Sequence, residues 1–306
     1  LSLYLPFDLT PMADESYIQI PLEFDFEREM NLMKRIRSSL LENGHNSILV
    51  PRAVEELSSP RLIVMEYMAG IPFSKILKVK QQLDRDGENS SDPEEFEDIV
   101  HNLLPLVENA FRKLLDAFGQ MIFIDGTFHA DPHAGNLLLK HNGDIVLLDF
   151  GQSKELPNET ILFLSQLVDM LSEGDEDTII EAMNASGMEM TDTRDGKEAE
   201  RDVIIKSAYI FFDTRYIEEA TENPFDPENS LIKYTNVGFN SEMWMIVRFI
   251  VLLRGMFYQF NLDISAVDIW QKYAQKALDR LMTNPELLKK EEDSNAEDRT
   301  ESMGDP

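Results

Sequence analysis

The stretch HADPHAGNLLLKHNGDIVLLDFG, residues 129 to 151, gathers acids, amides and histidines around two apolar runs. Asp131 and Asn136 are separated by four residues, then come a β-run of three leucines, a turn at Asn142 and Gly143, and a second run leading into Asp149. Asn-Gly between alternating or apolar runs is a strong hairpin signal, because both turn positions tolerate positive φ. The chain must fold back here, and folding back brings Asp149 beside Asp131 and Asn136.

Two chemistries use such groups. His129, Asp131 and His133 form an H-x-D-x-H pattern of ligands suited to zinc or iron. Only His45, His101 and His141 remain to complete a shell, and Pro132 and Gly135 favour a turn over a strand that would aim all three ligands one way. Phosphoryl transfer fits the spacing better, since it needs a carboxylate near the nucleophile and a metal on the phosphates. D-x-x-x-x-N followed thirteen residues later by D-F-G is the order of a kinase catalytic loop and its metal-binding triplet. The hairpin would fold Asp131, Asn136 and Asp149 onto one divalent ion, leaving the histidines to brace the loop by hydrogen bonds. Turn aspartates with capping roles would explain each acid singly, but not their order.

Composition removes other classes. With 57 acids against 28 bases the formal charge is −29, a surface that repels a phosphate backbone, so no nucleic-acid partner is expected. The absence of cysteine excludes disulfides and thiolate metal sites. The most apolar stretch, MWMIVRFIVLLRGMF, is interrupted by Arg248 and Arg254 and is shorter than the ~20 residues that cross a bilayer, so it reads as a buried or peripheral helix. The chain opens LSLYLPFDLTPM, with no initiating Met and no targeting segment, and reads as a fragment.

Along the chain, Phe26, Met30, Met33, Ile36 and Leu40 recur at three- and four-residue steps, an amphipathic helix. NSILVPRAVEEL and RLIVMEY read as a hairpin whose turn contains Pro60. QQLDRDGENSSDPEE reads as a surface loop between two lobes. A helical period then runs to Gly126, with Pro105 as a kink or early turn. Four further helices follow: one with an Asn or Thr cap that ends at Gly174, two core helices, and one starting at a Ser cap in SAVDIW. The residues after Leu288 are charged and read as a disordered tail. IVMEYMAG is a strand running into a linker, where the backbone carbonyl of Glu66 and the amide of Met68 would face an adenine.

These motifs together resemble the UbiB-type atypical kinases, also called aarF-domain kinases. EFDFEREMN, VPRAVEELSSPRLIVMEYMAG, DGTFHADPHAGNLLL and LLDFG carry the resemblance from about Glu23 to Leu156, and LLRGMF and DIWQKYAQKAL continue it loosely. It implies Asp131 as the catalytic aspartate, Asn136 and Asp149 as magnesium ligands, Glu29 as the helix acid that pairs a phosphate-binding lysine, and Glu23 and Asp25 as an E-x-D motif holding an N-terminal extension over the site. It also implies ATP and Mg²⁺ as cofactors and ATPase-like activity in support of isoprenoid quinone and lipid metabolism. The partners it implies are an isoprenoid lipid or lipid-biosynthesis proteins, with peripheral membrane association, in a mitochondrion or plastid if the source is eukaryotic. Two departures stand out: Ala134 replaces a usual proline, and no lysine precedes Lys34, so the family's lysine-containing extension and strand lysine would lie upstream.

The expected architecture is α+β, a protein-kinase-like two-lobe fold: a truncated small lobe over residues 1–70 with a hinge near Tyr67, a mainly helical large lobe over 71–288, and a tail over 289–306. The expected function is Mg-ATP binding with phosphoryl transfer or ATP hydrolysis. The chain as it stands is expected to bind ATP weakly and turn over none. The alternatives are a pseudokinase scaffold and a small-molecule phosphotransferase.

Overall fold

The computed structural model describes Tyr17 and residues 24–86, 103–185, 190, 197–218 and 241–288. Glu23, the linker beyond Asp86 and the C-terminal tail lie outside these residues.

Helix α1 (Phe26–Glu42) forms where the apolar period predicts it, with Met33, Ile36 and Leu40 buried and Asp25 capping its start through a 3.0 Å bond from the Arg28 amide. Strand β1 (Ile48–Leu49) does not pair with the run that follows it, which corrects the expected hairpin. It lies parallel to a strand nearly a hundred residues downstream, Ile48 opposite Ile145. Between Pro51 and Met65 the ladder shrinks to single bridges, Ala53 to Met65 and Ser59 to Leu62, the latter closing the turn that contains Pro60. A 3₁₀ turn at Glu55–Leu57 consumes the residues a ladder would need, and Ile48 is buried instead against the strand at Ile145.

Strand β2 (Ile71–Pro72) leads into α2 (Phe73–Asp86). The expected surface loop therefore begins later than QQLDRD. Phe73, Ile76, Leu77 and Lys80 keep a buried three- and four-residue period, and Gln, Leu and Arg extend a helix readily. Helix α3 (Leu104–Gly119), with Pro105 in its first turn, continues through a π-helical turn at Gln120–Ile124. Strands β3 (Thr127–Phe128), β4 (Leu137–Leu139), β5 (Ile145–Leu147) and β6 (Lys154–Glu155) follow, with β3 and β6 paired antiparallel in a sheet of their own. The larger sheet has the order β1-β5-β4-β2, so it draws strands from both sides of the boundary expected at residue 70.

The remaining helices are α4 (Asn158–Glu173), α5 (Glu176–Ala185), α6 (Arg201–Phe212), α7 (Ser241–Gln259) and α8 (Ala266–Thr283). Gly174 closes α4 with φ +73°, as expected, but its start has no side-chain cap: Pro157 precedes it, and Asn158 donates instead to the Leu287 carbonyl. Ser265 caps α8, accepting from the Asp268 amide at 3.1 Å. Helix α8 packs so closely on α3 that a Cβ on Gly119 would sit 2.4 Å from the Tyr273 ring. Among the described residues, no helix is long and apolar enough to cross a membrane. The fold is α+β and mostly helical.

A buried ionic knot fixes α6, α7 and α8 together. Asp213 is fully buried; its carboxylate accepts from the amides of Thr214 and Val267, the Ser265 hydroxyl and the Arg215 guanidinium. Arg254 of α7, pushed down to about 10 by burial, donates to the carbonyls of Asp213 and Ile210. Removing one member of a buried pair strands the other charge. Asp213→Ala should therefore cost about 3 to 5 kcal/mol, read as a lowered midpoint in urea unfolding.

Candidate functional site

The β4–β5 hairpin turns through residues 140–144, with Gly143 and not Asn142 at positive φ. Gly143 takes φ +82°, the Lys140 amide bonds the Asp144 carbonyl at 2.9 Å, and the Asn142 carboxamide closes on Asp144. At the open end the Leu148 amide donates to the Asn136 carbonyl at 2.9 Å, which sets Asn136 next to Asp149. The loop before β4 is tied by its own groups. The Asn136 carboxamide nitrogen donates to the Asp131 carbonyl at 3.2 Å and to the Asp131 carboxylate at 3.4 Å, leaving its oxygen as the acceptor. The Ala134 carbonyl accepts from the Ser74 amide at 2.9 Å, pinning this loop to α2.

Both histidines of the loop are tied to backbone groups. His129 is fully buried, its Nε2 bonds the Leu148 carbonyl at 2.9 Å, and its ring stands edge-on to Phe150. Burial pushes its pKa down, and Nδ1 is enclosed without a partner, so the ring is held neutral. His133 turns Nδ1 to the Gly135 amide at 2.9 Å. Among the described residues, no group of three or more His, Asp or Glu side chains is placed to hold a metal by itself.

Asp149 stands at φ +61°, unusual for a residue with a side chain, and its carboxylate accepts from the Gly151 amide at 3.2 Å. Helix α1 holds the segment that follows. Glu29 Oε1 accepts from the Phe150 amide at 3.0 Å; the Arg28 guanidinium donates to the carbonyls of Gly151 and Ser153, at 3.2 and 2.7 Å; Arg35 pairs with Glu155. The described partner of Glu29 is thus a backbone amide, where the resemblance implied a lysine. Burial raises the Glu29 pKa and the Asp149 charge adds to it, while the Phe150 amide and Arg28 pull the other way.

Glu29, Asp131 and Asp149 all face one cleft of about 690 Å³, whose apolar wall includes Phe26, Ile63 and Met65. The lining reaches Met65 and stops short of Glu66 and Met68. The Glu66 amide and carboxylate both bond the backbone of Arg52, at 2.9 and 3.2 Å. Asp25 caps α1 outside the lining, and Glu23 lies outside the described residues.

Arg248 of α7 is the site residue that sequence reasoning missed. Its guanidinium reaches Asp131 at 3.2 Å and the Gln152 side chain at 2.7 Å. The available signal was an arginine inside an apolar helical run, which had served only to argue against a membrane span.

Residues 2–183 match the family model described as the ABC1 atypical kinase-like domain. The chain belongs to this family. It is 30% identical over 155 residues to AarF domain-containing protein kinase 1 of Xenopus tropicalis, covering 49% of this chain and 25% of that one. It is 25% identical over 156 residues to the Arabidopsis thaliana protein ACTIVITY OF BC1 COMPLEX KINASE 3, chloroplastic, covering 51% and 19%. The chain spans less than half the length of the curated relatives it matches. The Mycobacterium tuberculosis Rv3197 structure, solved as a complex with erythromycin, superposes with a TM-score of 0.52 at 18% identity, over 86% of this chain and 61% of that one, a likeness of fold.

The enclosed His129 ring gives the ABC1 domain a pH dependence. With its pKa lowered on folding, the group contributes stability that is full above the unfolded value, about 6.5, and is lost as pH falls toward the folded value. Wild-type stability should drop by up to about 1.4 kcal/mol per pH unit below pH ~6.5 from this group. Denaturant unfolding from pH 7.5 to 5 should show that slope reduced by about that amount in His129→Gln.

Proposed function

We propose that this chain binds Mg²⁺-ATP in the cleft and that the complete protein transfers or hydrolyses the γ-phosphate. The observation that carries this reading is the convergence of Asp131, Asn136 and Asp149 at the open end of one hairpin, with Glu29 holding the Phe150 amide between them and α1. The donor set fits a hard divalent cation. Asn136 keeps its amide oxygen as acceptor, and Asp149 brings a carboxylate that only partly closes on Gly151. Magnesium is commonly held by one or two protein oxygens together with substrate phosphates, which agrees with the lack, among the described residues, of a site made from protein acids and histidines alone. When bound, it would supply positive charge to the phosphate oxygens.

Each of this chain's residues then has a task. Asp131 stands as the carboxylate near the attacking oxygen, and Arg248 and Asn136 hold it in place. Glu29 orients the turn that carries Asp149. Ile63 and Met65 offer an apolar wall for the adenine, next to the Glu66–Met68 backbone. α1, β1 and the bridged arm serve as the small-lobe side. From the resemblance, and from the word chloroplastic in the Arabidopsis relative's name, we infer a place in isoprenoid quinone or lipid metabolism at an organellar membrane surface.

A second reading, a nucleotide-binding scaffold without turnover, is favoured by one feature. Asp131 already carries the Arg248 ion pair, and no lysine lines the cleft among the described residues. Thermal-shift titration with ATP, with and without Mg²⁺, and a phosphate-release assay, both on the complete protein, separate the cases. Asp149→Asn should lower Mg-ATP affinity by about tenfold or more through loss of a charged ligand, while Asp131→Asn should leave it nearly unchanged. Turnover that disappears in Asp131→Asn supports transfer; Mg-dependent binding without turnover supports the scaffold. A Mg-ATP shift unaltered by Asp149→Asn removes this cleft from nucleotide binding.

A further inference from the structure

A second cleft, of about 750 Å³, shares none of its described lining residues with the acidic one and lies between β2, α2, the start of α3 and the β4–β5 hairpin. Its size lies within the roughly 300 to 1,000 Å³ of small-ligand sites. Its floor is aliphatic, formed by Ile76, Leu103, Leu106 and Leu139. Two apolar side chains at its edge stay in water, Ile71 at 53% and Val79 at 40% exposure. Its polar lining is cationic or titratable to a cation: Lys75, Lys140 and His141, with no acid among the described lining residues.

That charge runs against the rest of the molecule. The chain carries 57 acids and a formal charge of −29, yet from Tyr67 to Leu83 it has three lysines and no acid. Among the described residues, neither Lys75 nor Lys140 has an acid within ion-pair distance. An aliphatic cleft lined by two lysines complements a molecule with a hydrocarbon body and an anionic head. A nucleotide would find no hydrogen-bonding floor here, and an uncharged hydrocarbon would leave the lysines unused.

We propose that this cleft binds a single long-chain amphiphile with an anionic head, its chain along Ile76, Val79 and Leu106 and its head between Lys75 and Lys140. The site is separate from the acidic cleft, and its existence does not depend on nucleotide binding there.

Calorimetric titration of the chain with octyl phosphate, decyl phosphate, octyl glucoside and inorganic phosphate, each below its micelle concentration, tests this. Burial of hydrocarbon predicts about a fourfold gain in affinity per added methylene, so decyl phosphate, two methylenes longer, should bind about fifteenfold tighter than octyl phosphate. Octyl glucoside should bind about tenfold more weakly than octyl phosphate, the loss expected for a missing charge-assisted contact. Inorganic phosphate alone should give no heat of binding. Val79→Trp, at an exposed position the fold tolerates, should obstruct the trough and abolish binding of both alkyl phosphates. Lys75→Glu should weaken them about tenfold and leave octyl glucoside unchanged. Equal affinities for octyl glucoside and octyl phosphate, affinity independent of chain length, or alkyl phosphate binding untouched by both substitutions would overturn the proposal. Mg-ATP thermal shifts on the same variants should match wild type, so failure here and failure of the nucleotide reading are told apart.

Discussion

A carboxylate largely withdrawn from water needs a donor, and Glu29 finds its donor in the backbone amide of Phe150, 121 residues further along the chain. That single bond joins α1 to the segment carrying Asp149. Arg28 and Arg35 extend the attachment to Gly151, Ser153 and Glu155, so one side of α1 is fastened to the segment from the Asp-Phe-Gly turn to β6. A side chain at φ +61° is strained, by about 1 kcal/mol or more, and persists only where its surroundings over-determine it. Here Glu29 on one side and the Gly151 amide on the other supply that constraint, and the direction of the Asp149 carboxylate follows from it.

The cleft's electrostatics follow from the same packing. Three carboxylates line one cleft with no lysine among its described lining residues, and the upward shift of Glu29 records both its burial and the nearby Asp149 charge. Arg248 neutralises part of this at Asp131 and reaches Gln152 beyond the Asp-Phe-Gly turn, so a helix from the large helical layer supports both halves of the site. The buried Asp213–Arg254 knot holds that helix in place six residues further on. A triphosphate entering such a cleft would meet repulsion unless a divalent cation came with it, which is why the proposed ligand is the magnesium complex and not free ATP.

What could be read in the sequence was local. The hairpin from Leu137 to Leu147, the Asn-Gly turn and the spacing of Asp131, Asn136 and Asp149 all lie within about twenty residues, where turn preferences and period decide the fold. The period of α1 was equally plain. Non-local pairings were hidden. Nothing in Ile48–Leu49 says that its partner is Ile145–Val146, and turn chemistry suggested the nearer run, which a 3₁₀ turn then interrupted. α2 runs into the stretch that composition alone marked as loop because buried Leu77 and Lys80 carry its period that far. Arg248 meets Asp131 across 117 residues, and no short motif links them. The acceptor role of Glu29 was visible, but its described partner is a backbone amide, a group every residue carries and no sequence pattern marks.

The central claim is that Glu29 holds the Phe150 amide and so aims Asp149. Amide hydrogen exchange at Phe150, followed residue by residue in wild type and in Glu29→Ala, tests it most directly. The account predicts strong protection of that amide in wild type, lost in Glu29→Ala, while the amides of Leu139 and Ile145 in the neighbouring hairpin keep theirs. Equal protection of the Phe150 amide in both proteins would contradict it.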